Sequence, residues 1–401
     1  MYSDLAILAL FLLLYSLASG RLDKTVFGGA ILYTAFGFIA GPAGFGFLHF
    51  NVDGAAIRTL AEFTLALVLF TDAANADLGV LKLNLRIPER LLLISLPLTI
   101  ILGFVMGLAI FDQLSWLETA ILAVMLAPTD AALGKAVVTN TTVPARIREG
   151  LNVESGLNDG ICVPFLLVFL TLASSESLSA HETTGLILRE FAEEIGIGVL
   201  VGVGFTMLSA YALRFARARQ WIGEIWQQIP VPALAMVCFA GAQTFGGSGF
   251  IASFAGGLFF GALARVHKDD LLRAAEGVGD SLALLTWVAF GVAVVGSSLE
   301  QFRWDVLLYA VLSLTIARML PVYVSMTGMG LTVRDRLFLG WFGPRGLASI
   351  VFAVIVLDAN LPGGNVLKLV VCYTVIGSIL AHGISANPLA STYGRRNENA
   401  S

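Results

Sequence analysis

Charge is what this chain has least of. Asp, Glu, Lys and Arg make up 13% of its 401 residues and apolar types 57%, whereas soluble domains carry about 25% charged residues. That excludes a soluble globular protein and leaves one that crosses a membrane many times. The net charge is only −4, and the absence of a basic tail or an acidic run excludes a nucleic-acid partner. Cysteine is nearly missing. Cys162, Cys238 and Cys372 are odd in number, stand inside apolar runs and form no CxxC pair; a disulfide framework or thiolate metal site is excluded, and the three read as buried thiols. No Lys or Arg precedes the first apolar stretch. Met1-Tyr2-Ser3-Asp4 has the wrong charge for a secretory leader, so residues 4–18 read as a retained helix although Ala18-Ser19-Gly20 resembles a cleavage site. No polar stretch is long enough for a soluble domain, and no cofactor motif appears.

What is present is a succession of apolar runs joined by short polar turns. They predict an all-α polytopic membrane protein with thirteen spans, near 4–18, 25–47, 56–73, 91–111, 115–139, 150–173, 190–213, 229–245, 250–266, 280–298, 305–327, 337–357 and 366–386, all in one membrane domain covering 1–401. Of the 24 Lys and Arg, 17 fall in alternate connections on the side of the C-terminus and 4 on the other (Arg58, Arg189, Arg303, Lys368), with Lys135, Arg318 and Arg345 inside spans. By the positive-inside rule the N-terminus is outside and the C-terminus cytoplasmic, in a bacterial-type inner membrane. Lys135 is close enough to the cytoplasmic surface to snorkel.

Two spans carry breaking residues near their middles: Leu126-Ala127-Pro128-Thr129-Asp130 in the fifth and Gly340-Trp341-Phe342-Gly343-Pro344-Arg345-Gly346 in the twelfth. Proline removes a donor and clashes with the preceding turn, so both should unwind at membrane depth. The prolines lie 216 residues apart, and the same shift carries residue 150 onto 366. Spans 1–6 (4–173) and 8–13 (229–386) thus read as two inverted six-helix repeats around a linking helix at 190–213. Paired broken helices in two halves point to a transporter's binding site.

Between Gly150 and Ala173 the only charged residues are Glu154 and Asp159. A carboxylate at bilayer depth costs about 2.5–3.5 kcal/mol even on mild scales, so its default reading is an ion or proton site. Asp159 lies roughly 14 Å along the span, close to the midplane of a slab about 30 Å thick. Ser155 and Asp159 are i and i+4 on one helix face. Together with Thr129 they form an oxygen-rich set suited to a hard monovalent cation. Asp130 is either a further ligand or a cap for the half-helix after its break. Arg345 cannot lose its proton and needs a carboxylate, for which Glu154 is the best candidate at comparable depth. Arg318 needs one too, with Glu62, Asp72 and Asp280 as unranked candidates. Asn158, an amide beside Asp159, neither titrates nor carries charge, which leaves Asp159 as the plainly titrating group and suggests electroneutral exchange.

Thr129-Asp130, then Asn152-Val153-Glu154-Ser155-Gly156-Leu157-Asn158-Asp159-Gly160, then Gly343-Pro344-Arg345-Gly346, together with thirteen spans, closely resemble the NhaP-type and eukaryotic exchanger branch of the monovalent cation/proton antiporters. The resemblance implies that Asp159 binds cation and proton alternately, with ligands at Thr129 and Ser155 and a Glu154–Arg345 pair. It also implies a homodimer in which a six-helix core bundle moves against a dimerisation bundle. The departure is at Ala131, where many members carry proline. The substrates would be H+ and Na+, with K+ or Li+ as alternatives.

Two other readings exist. A transporter of an organic ion could share this architecture. Gly246-Gly247-Ser248-Gly249, with His382 as base, and Gly277-Val278-Gly279-Asp280 match short patterns of intramembrane proteases. In a chain with 42 glycines such patterns arise by chance, so the chain reads as a transporter and not an enzyme.

Overall fold

The computed structural model describes residues 2–22, 25, 28–48, 55–76, 86–130, 133–138, 140–174, 180–264 and 268–398. Among these every regular element is helical. In chain order they are α1 (Tyr2–Leu22), α2 (Gly29–Ala40), α3 (Ala55–Asn75), α4 (Arg86–Ile110), α5 (Trp116–Met125), α6 (Lys135–Val138), α7 (Ala145–Ser174) and α8 (Ala180–Ala218). There follow α9 (Pro230–Thr244), α10 (Gly249–Leu263), α11 (Lys268–Phe290, prolonged to Leu299), α12 (Trp304–Leu314), α13 (Ile316–Ser325), α14 (Val333–Trp341), α15 (Leu347–Asp358) and α16 (Gly364–Glu398). Seven described helical stretches, with α12 and α13 taken together as Trp304–Ser325, are long and apolar enough to cross a membrane, and α2, α5, α10 and α15 are shorter apolar helices.

Apolar windows locate the helices but misjudge their ends. The second span stops at Ala40 because Pro42 has no amide to continue the ladder. Conversely α8, α11 and α16 outrun their apolar stretches. Charged residues such as Arg273 and Glu276 extend α11 as a helix with a polar face, and a hydropathy window registers only the part suited to hydrocarbon. Two π-helical turns, at Leu91–Ser95 in α4 and Gly291–Val295 in α11, have no signature in the sequence. The fifth and twelfth spans are broken where Pro128 and Pro344 require, into α5 and α6 and into α14 and α15. All three cysteines are buried free thiols.

The chain forms two compact units. The first comprises 1–58, 86–155 and 284–401; the second comprises 59–85 and 156–283. In the first, Val143, Ile147 and Leu151 of the α7 region pack with Val322, Leu339, Phe342 and Ala386. In the second, Leu67 and Phe70 of α3 pack with Leu234, Cys238, Phe260 and Leu272. Helix α7 leaves the first unit after Ser155 and continues in the second from Gly156.

Both helices that run into a break begin with a capping box. At α5 the Ser115 hydroxyl accepts from Glu118 N at 3.2 Å while Glu118 accepts from Ser115 N at 2.9 Å. At α14 Thr332 and Asp335 do the same at 3.2 and 2.9 Å. Each box satisfies two otherwise orphaned amides. Glu118 also accepts from Gly363 N at 2.5 Å, which ties the turn before α16 to α5.

Candidate functional site

Where α5 stops, its last carbonyls have no helical partners, and where α15 starts, its first amides have none. The two loose ends satisfy each other within the first unit. The Arg345 guanidinium donates to Ala127 O at 2.9 Å and Pro128 O at 3.2 Å, and the Ser349 hydroxyl donates to Met125 O at 2.8 Å. In the other direction Leu347 N donates to the Asp130 carboxylate at 3.0 Å, and Asp130 N donates to Pro344 O at 2.8 Å. A cation thus sits on the negative end of α5 and an anion on the positive end of α15, the arrangement the helix dipole favours. Asp130 is therefore a cap, but for the other broken span and not for the segment that follows its own break.

This crossing requires Gly346. A Cβ there would overlap the Asp130 carboxylate, so Gly346→Ala must push the cap away. Overpacking of this kind costs about 1–3 kcal/mol. Thermal unfolding followed by scanning fluorimetry should show the loss; an unchanged melting temperature would mean that the crossing opens freely.

Helix α16 holds both rims of the second break. Arg345 N, after the break, donates to Ser378 Oγ at 2.7 Å, and His382 Nε2 lies 2.8 Å from Trp341 O, before it. A carbonyl only accepts, so Nε2 carries a proton. Nδ1 lies 2.9 Å from Ser378 O and 3.2 Å from the Ser378 hydroxyl, so the ring bridges the two rims of the break. Trp341 Nε1 adds a bond to Ser385 Oγ at 2.9 Å. Sequence reasoning missed this clasp, although small polar residues spaced by about one turn in an apolar run (Ser378, His382, Ser385) were a usable signal. His382 is engaged here, and Ser248 caps α10, its hydroxyl accepting from Ile251 N at 3.4 Å. Ser248 and His382, of the first protease-like pattern, are thus both engaged in structural bonds.

The partner of Glu154 is a correction. Both its oxygens receive from Arg318, at 2.5 and 2.7 Å, and both residues are essentially fully buried. The sequence assigned Glu154 to Arg345 and left Arg318 among Glu62, Asp72 and Asp280. The reason is local. Thr315, with φ −109° and ψ −86°, interrupts the helix between α12 and α13 and redirects the side chain three residues later, yet neither Pro nor Gly marks the spot. Gly343 makes room for the Arg318 guanidinium, because a Cβ at that position would lie 2.8 Å from its Cζ.

Thr129, Asp130 and Ser155 line one cavity of about 10 Å3, together with Gly134, Val137, Val138, Leu151, Phe342 and Pro344, on the order of a single water-sized space. The Ser155 hydroxyl donates to Thr129 O. With its proton committed there, the Ser155 oxygen turns only lone pairs outward, as a cation ligand must. Thr129 and Ser155 are 4% and 6% exposed. One turn further along α7, in the second unit, Asn158 and Asp159 are 0% and 7% exposed. There Gly156 lets α3 approach, since a Cβ would meet Asp72 O at 3.3 Å. Ala131 and the side chain of Lys135 lie outside the described residues.

The whole length of the chain finds relatives. It is 26% identical over 386 residues to the K(+)/H(+) antiporter NhaP2 of Shewanella sp. (strain ANA-3), an alignment covering 96% of this chain and 65% of that protein. To the K(+)/H(+) antiporter NhaP of Alkalimonas amylolytica it is 26% identical over 406 residues, with the same coverages of 96% and 65%. The chain thus spans just under two thirds of these relatives' length. Among solved structures, the sodium proton antiporter MjNhaP1 from Methanocaldococcus jannaschii at pH 8 superposes with a TM-score of 0.75 at 20% identity, covering 98% of both chains. The model of the transmembrane sodium/hydrogen exchanger family matches residues 6–392, and the chain belongs to that family.

Proposed function

We propose that the protein is a secondary antiporter that exchanges a monovalent cation for H+ by alternating access, with Asp159 as the shared cation and proton site. The observation that carries this reading is the buried carboxylate of Asp159 on α7, one turn beyond a Ser155 whose oxygen joins Thr129 and Asp130 around a small cavity at two helix breaks. Thr129 and Ser155 supply neutral oxygens. Asp159 supplies the charge that either ion neutralises. Asn158, the amide beside Asp159, does not titrate. Na+ is the first candidate, while the names of the relatives above, K(+)/H(+) antiporters, make K+ the direct competitor.

The architecture proposed with it is thirteen spans, N-terminus outside and C-terminus cytoplasmic, in a homodimer. The repeats would cover about 4–173 and 229–386, related by inversion around 190–213. The two capping boxes support the repeat, because Ser115 and Thr332 lie 217 residues apart, close to the 216 between Pro128 and Pro344.

The exchange is expected to be electroneutral, one proton for one cation. Glu154 is neutralised by Arg318, and Asp130 is spent on the start of α15, which leaves Asp159 to change protonation during the cycle. Moving net charge would couple the cycle to voltage at about 2.3 kcal/mol per charge per 100 mV. Proteoliposomes with an internal pH dye, challenged in turn with Na+, K+ and Li+, should show cation-dependent proton flux. The Na+ or Li+ rate should not change when a potassium-valinomycin potential is imposed. Absence of flux with every cation would end the antiporter reading; a voltage-dependent rate would mean that a second group titrates.

A further inference from the structure

On the other side of Phe342, which also lines the small cavity at the breaks, the first unit contains a cavity of about 840 Å3, within the roughly 300–1,000 Å3 of specific ligand sites. Its walls are apolar: Met319, Leu337, Phe338, Trp341 and Leu389 among them. Val333, Leu337 and Leu389, which also line it, remain 56%, 44% and 41% exposed. From Val333 to Phe342 the trough follows the α14 axis for about 14 Å, the form of an extended hydrocarbon chain and not of a compact solute.

Polar chemistry is confined to one end. Asp335 is buried and committed: it accepts from Thr332 N at 2.9 Å and from the Tyr393 hydroxyl, and Arg146 lies 3.8 Å away. Arg146 and Arg334 line the same end and are both exposed. The neighbouring Arg336 is engaged elsewhere, over the Tyr323 ring at 5.5 Å, and Arg148 donates to Asn140 O at 3.2 Å. Two guanidinium groups against one carboxylate leave a single positive charge at the mouth of an apolar trough.

We propose that this cavity is a phospholipid site, with a monoanionic phosphodiester held by Arg146 and Arg334 and one acyl chain laid along α14 between Phe338, Trp341 and Leu389. Guanidinium groups suit phosphate oxygens in geometry and charge, and basic pockets between membrane helices bind anionic headgroups. Because α14 leads directly into the break at 342–346, an acyl chain seated there props the helix that carries one rim of the crossing.

The test uses the full chain in phosphatidylcholine nanodiscs and phosphatidylglycerol with a photoactivatable group in its acyl chain. Cross-links should fall in the peptides containing 333–342 and 389–393. Unlabelled phosphatidylglycerol should compete at least fivefold better than phosphatidylcholine with the same chains. Labelling should drop at least fivefold in Arg146→Gln/Arg334→Gln and also in Leu389→Trp, which fills the trough and keeps both arginines. Cross-links confined to other helices, equal competition by phosphatidylcholine, equal competition by inorganic phosphate, or unchanged labelling in Leu389→Trp would each overturn the proposal. The readout is binding, so its failure is separate from any failure of ion exchange.

Discussion

Asp159→Asn is expected to reduce cation-dependent proton flux to the level of empty liposomes while the protein still inserts, purifies and melts at the parent temperature or above. The substitution keeps size and shape and removes only the ability to ionise. At 7% exposure the carboxylate sits where charge is costly, so neutralising it should relieve a desolvation penalty and not create one. Catalytic loss without structural loss is the signature of a group retained for function. Glu154→Gln, the same chemical change five residues earlier on α7, should behave in the opposite way. It leaves the Arg318 guanidinium buried without its bidentate partner, at 1% exposure, and a guanidinium cannot escape by deprotonation. Stability should fall while residual flux per folded molecule remains. If Asp159→Asn retains parental flux, the ion site lies elsewhere; if it fails to fold, the carboxylate is structural.

The contrast between those two carboxylates shows what was legible in the sequence. Asp159 stood out because charge is scarce in this chain, and scarcity makes each exception informative. The breaks at Pro128 and Pro344 were legible because proline and glycine act on the backbone locally. The sequence groups Thr129 and Ser155 as oxygen donors, and they line one small cavity. What could not be read were the partners. The sequence offers Asp130 as a further ligand or as a cap for its own broken span, whereas its carboxylate accepts from Leu347 N, 217 residues on. Glu154 was given to Arg345 on depth alone, because the turn at Thr315 that redirects Arg318 carries no proline or glycine. Pairings across the fold depend on where helices cross, and helix ends are blurred whenever charged residues prolong a span, as at Arg273 and Glu276 of α11.

Arg318→Met should strongly destabilise the first unit, and the loss should be largely recovered in Arg318→Met/Glu154→Gln. Methionine keeps much of the arginine stem and leaves little cavity, so the single variant isolates the effect of an uncompensated Glu154. Removing one partner of a buried pair typically costs about 3–5 kcal/mol, whereas replacing both with neutral groups of similar volume is often neutral or favourable. Here the case is strong because both carboxylate oxygens are bonded, at 2.5 and 2.7 Å, and neither residue reaches solvent. Thermal melts of the parent, both single variants and the double variant form a double-mutant cycle, with an expected coupling of about 2 kcal/mol or more. The same cycle on Arg345 and Glu154 is the control. Arg345 donates to Ala127 O and Pro128 O at the end of α5, so Arg345→Met removes a helix-end counter-charge, and Glu154→Gln should not restore it. Recovery in the Arg345 cycle and none in the Arg318 cycle would return the pair to the assignment that depth alone suggested. The double Arg318→Met/Glu154→Gln protein should also exchange ions with unchanged voltage independence, because the two charges it removes cancel and Asp159 still titrates.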